Sequence, residues 1–208
     1  MKRDNKAFWQ MTAGIYSVFT NKSVDMYDKV SEHISKYLTE DMHVLELACG
    51  TGQITFRLAD KCQVWEATDF SEKMIEKAKQ KDAPFSLNFT VQDATDLSFY
   101  GDNCFDAVVI SNALHIMPEP EKALKEIKRV LKPNGYLFAP TFIKDESLSF
   151  RLYIKIMSIF GFKVYHLWNK KELIRFVENH GFHVKNYANV VRKWKKCMSL
   201  VAISDEVH

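Results

Sequence analysis

Two glycines and three acids stand where they could do chemistry. The stretch Val44 to Gln53 reads "VLELACGTGQ" and turns on Gly50 and Gly52. Glycines after a strand let backbone approach a ligand closely. Glu46 lies four residues before them in an apolar run, and a buried carboxylate is costly unless hydrogen-bonded or paired. It could accept from N–H groups of the loop or face a cationic ligand. Its charge suits an ammonium or sulfonium better than a pyrophosphate. A dinucleotide fingerprint wants Gly or Ala three places past the second glycine, and the chain has Thr55 there. No Gly-Lys-Ser/Thr follows, which excludes a P-loop.

Asp69 and Asp93 each fall at the end of an expected strand. A carboxylate at Asp69 can accept from both hydroxyls of a ribose diol, or it can cap the following helix. Ser71 is also available as that cap. Asp93 could accept from an exocyclic amine or be a loop acid, and Asp96 reads as a turn residue. Phe70 and Met74 are near enough to cover a purine face. His115, in "SNALHI", follows another strand and could be a general base, a packing residue or a gate.

The elements that would position these residues alternate. Strands are expected at 44–48, 63–68, 87–93, 105–111 and 136–140. Helices are expected at 53–59, 72–81 and from Pro118 and Pro120 through Leu131. "KPNG" at 132–135 reads as a turn, with Pro presetting the first corner and Gly freeing the last. An amphipathic helix with Tyr27, Val30, Ile34, Tyr37 and Leu38 inward precedes the first strand. The apolar residues of 148–162 are too many for one helix face. A helix at 170–180 stops at Gly181, and strands at 182–189 and 197–203 flank the basic "RKWKK" as a hairpin. Repeated strand–helix units predict a parallel sheet covered on both faces, with its ligand beyond the carboxyl ends of the strands.

Length and charge agree with this. The 208 residues suit one domain, and a net charge of +3 is too weak to argue for nucleic acid. Cys49, Cys62, Cys104 and Cys197 lack metal-ligand spacing and read as reduced thiols, so a cytoplasmic location and no metal are expected. No apolar run is long enough to span a membrane.

The ordered motifs resemble the class I S-adenosylmethionine (SAM)-dependent methyltransferases. "VLELACGTGQ" is similar to their motif I, "WEATDFSEKMIEKAKQK" to their second-strand motif and "FTVQDATDLSF" to their third. "FDAVVISNALHIMPEPEKALKEIKRVLKPNGYLFAPTF" resembles their fourth strand, the helix after it and the fifth strand. The resemblance covers about residues 10–145 and is nearest the ubiquinone/menaquinone branch, which acts on small molecules.

It implies an α/β, three-layer Rossmann-like fold. The sheet would be mostly parallel and seven-stranded, with a C-terminal antiparallel hairpin. One domain, 1–208, would comprise a helical cap (1–40), a cofactor-binding core (44–140), an acceptor lid (141–170) and a last helix with the hairpin (171–208). The implied SAM contacts are Tyr16, Glu46, Ala48, Gly50, Thr51, Gly52, Asp69, Phe70, Met74, Gln92, Asp93, Ala94 and Ser111. Asp69 would hold the ribose and Asp93 the adenine edge. Tyr16 matches a tyrosine placed over the cofactor, where its ring would face the sulfonium. Tyr16 and His115 are the catalytic candidates, and His166 and Trp168 fall in the lid region. The expected reaction is methyl transfer to a small, largely apolar acceptor by a monomer or homodimer. An RNA or protein methyltransferase and a non-catalytic SAM-binding module are the alternatives. The first lacks an Asn/Asp-Pro-Pro-aromatic signature here, the equivalent place reading "SNAL".

Overall fold

The computed structural model describes residues 8–12, 24–84, 86–144, 152, 155, 158, 162–192 and 195–205. Four strands run parallel in sequence-scrambled order: β1 (His43–Leu47), β2 (Val64–Asp69), β3 (Leu87–Val91) and β4 (Phe105–Ile110). β5 (Leu131–Phe138) joins β4 in parallel, and the sheet continues through β8 (Lys195–Ser204). The order is β3-β2-β1-β4-β5-β8-β6, with β7 (Phe182–Arg192) also on β8. β7 and β8 form the expected antiparallel hairpin. It is longer than the sequence indicates, and residues 193–194 of its basic turn lie outside the described residues.

The described residues form eight strands where seven are expected, because the fifth is broken. β6 (Thr141–Phe142) pairs with β8 at Met198 and Cys197, directly continuing the pairing of β5 with Val201. Pro140 stands between the two pieces and has no N–H for a ladder.

Alternation along the strands sorts side chains to two cores. Val44, Trp65, Ala67, Ala107, Val109 and Phe138 pack on one face, under α1 (Val24–Ser35), α2 (Thr55–Leu58) and α3 (Glu72–Ala78). Leu45, Leu47, Val108, Ile110 and Leu137 pack on the other, under α4 (Pro120–Val130) and α5 (Lys170–Glu178). The strands are apolar on both sides because helices cover both faces.

Element ends differ from the expectation in instructive ways. α1 stops at Ser35, so Tyr37 and Leu38 pack from beyond the helix. α2 is one turn followed by a 3-10 turn over Ala59–Lys61, rather than a helix over 53–59. Pro120 alone enters the first turn of α4. Asn169 and Glu172 close a full capping box on α5.

"KPNG" is a bulge inside β5. Phe105 pairs with Leu131 and Ala107 with Tyr136, so the intervening residues loop out opposite Asp106. Asn134, rather than Gly135, takes the left-handed corner, at φ 61°. Gly135 is needed for space instead. A Cβ there would lie 2.9 Å from the Lys132 carbonyl oxygen and 3.1 Å from that of Asp106.

Most of 148–162 lies outside the described residues. No helix among the described residues is long and apolar enough to cross a membrane.

Candidate cofactor and acceptor site

Parallel pairing brings the carboxyl ends of β1 to β4 to one end of the sheet. The segments 48–52, 69–71, 92–94 and 111–115 therefore share that end. After β1 the backbone is left-handed at Ala48 (φ 54°), Gly50 (φ 57°) and Gly52 (φ 82°). A Cβ at Gly52 would also meet the Phe56 ring at 2.4 Å. The loop is pinned on both sides. Cys49 N–H donates to the Thr68 carbonyl at 2.9 Å, and Lys81 Nζ donates to the Thr51 carbonyl at 2.6 Å. Lys81 also lies 4.9 Å over the Phe56 ring.

Glu46 is bonded within the fold. It is 1% exposed, and its Oε2 accepts from Thr55 Oγ1 at 2.6 Å and from Trp65 Nε1 at 2.9 Å. Burial pushes its pKa up to about 7; the Thr55 and Trp65 hydrogen bonds oppose that rise and the charge of Asp69 adds to it. Its task is to fasten strand β1 to the start of α2 and to β2. Sequence reasoning noticed Thr55 only as a missing glycine and passed over Trp65. An acid and a threonine flanking one glycine turn was the available signal.

Asp69 ends β2, 5% exposed. Its Oδ2 accepts from Gly50 N–H at 2.9 Å and its Oδ1 from Ser71 N–H at 2.9 Å. The carboxylate is thereby oriented against the glycine loop, while Ser71 caps α3 through Met74 N–H, as anticipated. Such a fixed carboxylate beside left-handed glycines fits a ribose diol, because a carboxylate accepts hydrogen bonds at both of its oxygens. Phe70 is half-buried just past β2, whereas Met74 is 2% exposed and sits in the core.

Asp93 stands exposed beyond β3. Its Oδ1 accepts from Thr95 N–H (2.9 Å) and Thr95 Oγ1 (2.8 Å). Gln92 N–H donates to the Asp69 carbonyl at 3.2 Å, tying the two acidic segments together, and Ala94 is buried beside them. Asp96 makes a turn through Ser98 N–H. Arg129 of α4 holds this stretch down, donating to the Leu97 and Tyr100 carbonyls at 2.9 Å each.

Beyond β4 the chain is left-handed at Asn112 (φ 53°), whose N–H donates to the Pro140 carbonyl at 2.7 Å. Asn112 Nδ2 donates to Ser111 Oγ at 3.4 Å. His115 follows in a 3-10 turn, Leu114–Ile116, and is buried. Burial, with a smaller push from His166, lowers its pKa to about 4. A neutral imidazole of such low basicity is a weak general base. Tyr16 lies outside the described residues. The thiols of Cys49, Cys62 and Cys197 are buried and pushed up, and no metal-binding group of three or more His, Cys, Asp or Glu occurs among the described residues.

Residues 45–139 match the methyltransferase domain family. Demethylmenaquinone methyltransferase of Staphylococcus aureus (strain JH9) is 34% identical, over 86% of this chain and 88% of its own. The ubiquinone/menaquinone biosynthesis C-methyltransferase UbiE of Rickettsia akari is 32% identical, over 69% of this chain and 66% of its own. The chain thus spans about two thirds of that relative's length. Among solved structures, the fold is similar to a Haloferax volcanii complex of the Trm112 activator with a putative methyltransferase (TM-score 0.78, 18% identity, 99% and 100% of the chains). It is also similar to magnesium protoporphyrin IX methyltransferase of Synechocystis PCC 6803 with bound SAH (TM-score 0.69, 18% identity, 88% and 84%). These matches, together with the sheet order and the loop after β1, leave one assignment for the chain. It belongs to the class I SAM-dependent methyltransferases and is similar to the ubiquinone/menaquinone group.

Proposed function

We propose that this methyltransferase acts on a small, largely apolar aromatic acceptor of the quinol type. The observation that carries it is the aromatic wall beyond β4 and β6. His115 meets Phe142 edge-on at 5.8 Å, and His166 stacks on Trp168 at 5.0 Å. This wall lies at the same end of the sheet as the glycine loop. The similar ubiquinone/menaquinone and demethylmenaquinone methyltransferases support the same class of acceptor.

SAM, when bound, supplies a methyl group on a positively charged sulfur. We assign its ribose to Asp69 and its adenine edge to Asp93 with Phe70. Backbone of Ala48 to Gly52 would border the amino-acid part, with Thr51, Gln92, Ala94 and Ser111 around it. Tyr16 stays assigned to the sulfonium. Glu46 and Met74 support the site from behind it. The protein's main contribution is alignment of the acceptor with the methyl, worth roughly 7–11 kcal/mol of barrier, plus exclusion of water. We assign no dedicated base.

In this reading residues 1–40 and 141–170 cover a core formed by 44–140, and 171–208 close the sheet. The enzyme works in the cytoplasm as a monomer or homodimer, without nucleic acid. A labelled-methyl screen tests the acceptor class: reduced naphthoquinones should accept label, and thiols or amines should not. Label on amines alone would overturn it.

A further inference from the structure

Two ring nitrogens in this wall lack partners. His115 Nδ1 and His166 Nε2 are both buried, with no hydrogen bond among the described residues. Native proteins rarely leave buried polar atoms unsatisfied, and each exception calls for an explanation.

The two residues are held together by backbone. Tyr165 and His166 N–H both donate to the His115 carbonyl, at 3.0 and 3.1 Å. Segment 162–169 is thereby clipped over the turn that follows β4. A second clip, Lys144 N–H to the Trp168 carbonyl at 2.8 Å, fixes the segment to the end of β6. Neighbouring rings hold the imidazole planes. Phe142 meets His115 at 87°, while His166 lies within 10° of parallel to Trp168, which stacks in turn on Phe176 at 4.6 Å. The rings are oriented without the help of these two nitrogens, which leaves both available to a ligand.

We infer that His115 and His166 form a paired clamp for a hydroxyl group on the acceptor ring. The inference rests on the acceptor reading above and adds the polar contact that the reading lacks. A hydroxyl both donates and accepts, and two imidazoles can match it by choice of tautomer. The depressed basicity of His115 keeps it uncharged at neutral pH. The clamp therefore suits a neutral hydroxyl better than a carboxylate, which would call for a cation. Its effect is positional: it sets which ring atom faces the methyl.

The test uses the whole chain with saturating S-adenosylhomocysteine. Calorimetry compares 1-naphthol with 1-methoxynaphthalene, which keeps the ring but cannot donate. The wild type should bind the naphthol about tenfold tighter or more, about 1.4 kcal/mol per decade. In His115→Phe and in His166→Phe the two affinities should converge, with S-adenosylhomocysteine affinity unchanged. A measurement on the wild type guards against variants that misfold: naphthol, but not its ether, should shift the ring ¹⁵N signals of both histidines. Equal affinity for the two probes, no binding of either, a preference surviving in both variants, or unshifted ring signals would overturn the clamp. Retained naphthol preference without methyl transfer to any quinol would overturn the acceptor reading and leave the clamp standing.

Discussion

Thr55 Oγ1 donates to Glu46 Oε2 across 2.6 Å, inside a core where both residues are within 1% of full burial. The two anomalies of the first strand and its glycine turn resolve each other. The acid in the apolar strand and the threonine in the place of a third glycine are one hydrogen-bonded unit, with Trp65 as its third member. The unit locks the angle at which the chain leaves β1, and so the position of the loop between them.

Glu46 should make stability depend on pH. Its carboxyl titrates near 4.5 when unfolded and near 7 when folded. Below pH 4.5 both states are protonated and the protein has the full benefit. As pH rises the unfolded chain ionises first, and stability falls until about pH 7, by on the order of 3 kcal/mol. Glu46→Gln removes this dependence. Urea unfolding of both proteins at pH 4.5 and pH 8 should show the variant gaining on wild type at the higher pH. Parallel behaviour would contradict the assignment.

Thr55→Val keeps the shape and deletes the donor. Loss of a buried hydrogen bond to this carboxyl should cost about 1–3 kcal/mol. It should also push the Glu46 pKa higher still, since the Thr55 bond now holds it down. Equilibrium unfolding across the same pH range reads both effects.

Ala48 takes a left-handed conformation at φ 54° without being glycine. That costs an L-residue about 1–2 kcal/mol, against roughly 0.4–1 kcal/mol of extra unfolded-state entropy for glycine. Ala48→Gly should therefore stabilise by about 0.5–1 kcal/mol, seen as a raised urea midpoint with an unchanged slope.

Gly135→Ala should destabilise by about 1–3 kcal/mol. The new Cβ meets two backbone carbonyls, which cannot swing aside as a side-chain tip can. Thermal unfolding should show the loss.

The fold was legible because the strands carry their own markers. β4 is apolar on both faces, and the motifs follow one another at strand ends in the order a parallel sheet needs. The cap of α3 was legible too: of the two neighbouring polar residues, Ser71 takes it. The break at Pro140 and the bulge at 132–135 depend on how β5 registers with β4 and β8, which local sequence does not encode. The side-chain partners of Glu46 were hidden for a similar reason. They come from α2 and β2, nine and nineteen residues onward, and no short-range pattern announces them. His115 stood out in the sequence, but its pairing with His166 comes from a clip spanning about fifty residues of chain.

We propose that Asp69, oriented by Gly50 and Ser71, anchors the cofactor at the end of β2. Titration calorimetry of SAM into wild type and Asp69→Asn tests it most directly. Two ribose hydrogen bonds to a charged group, at about 1.5–3 kcal/mol each, predict a loss of at least about a hundredfold in affinity. Equal SAM affinity in the two proteins would contradict the account.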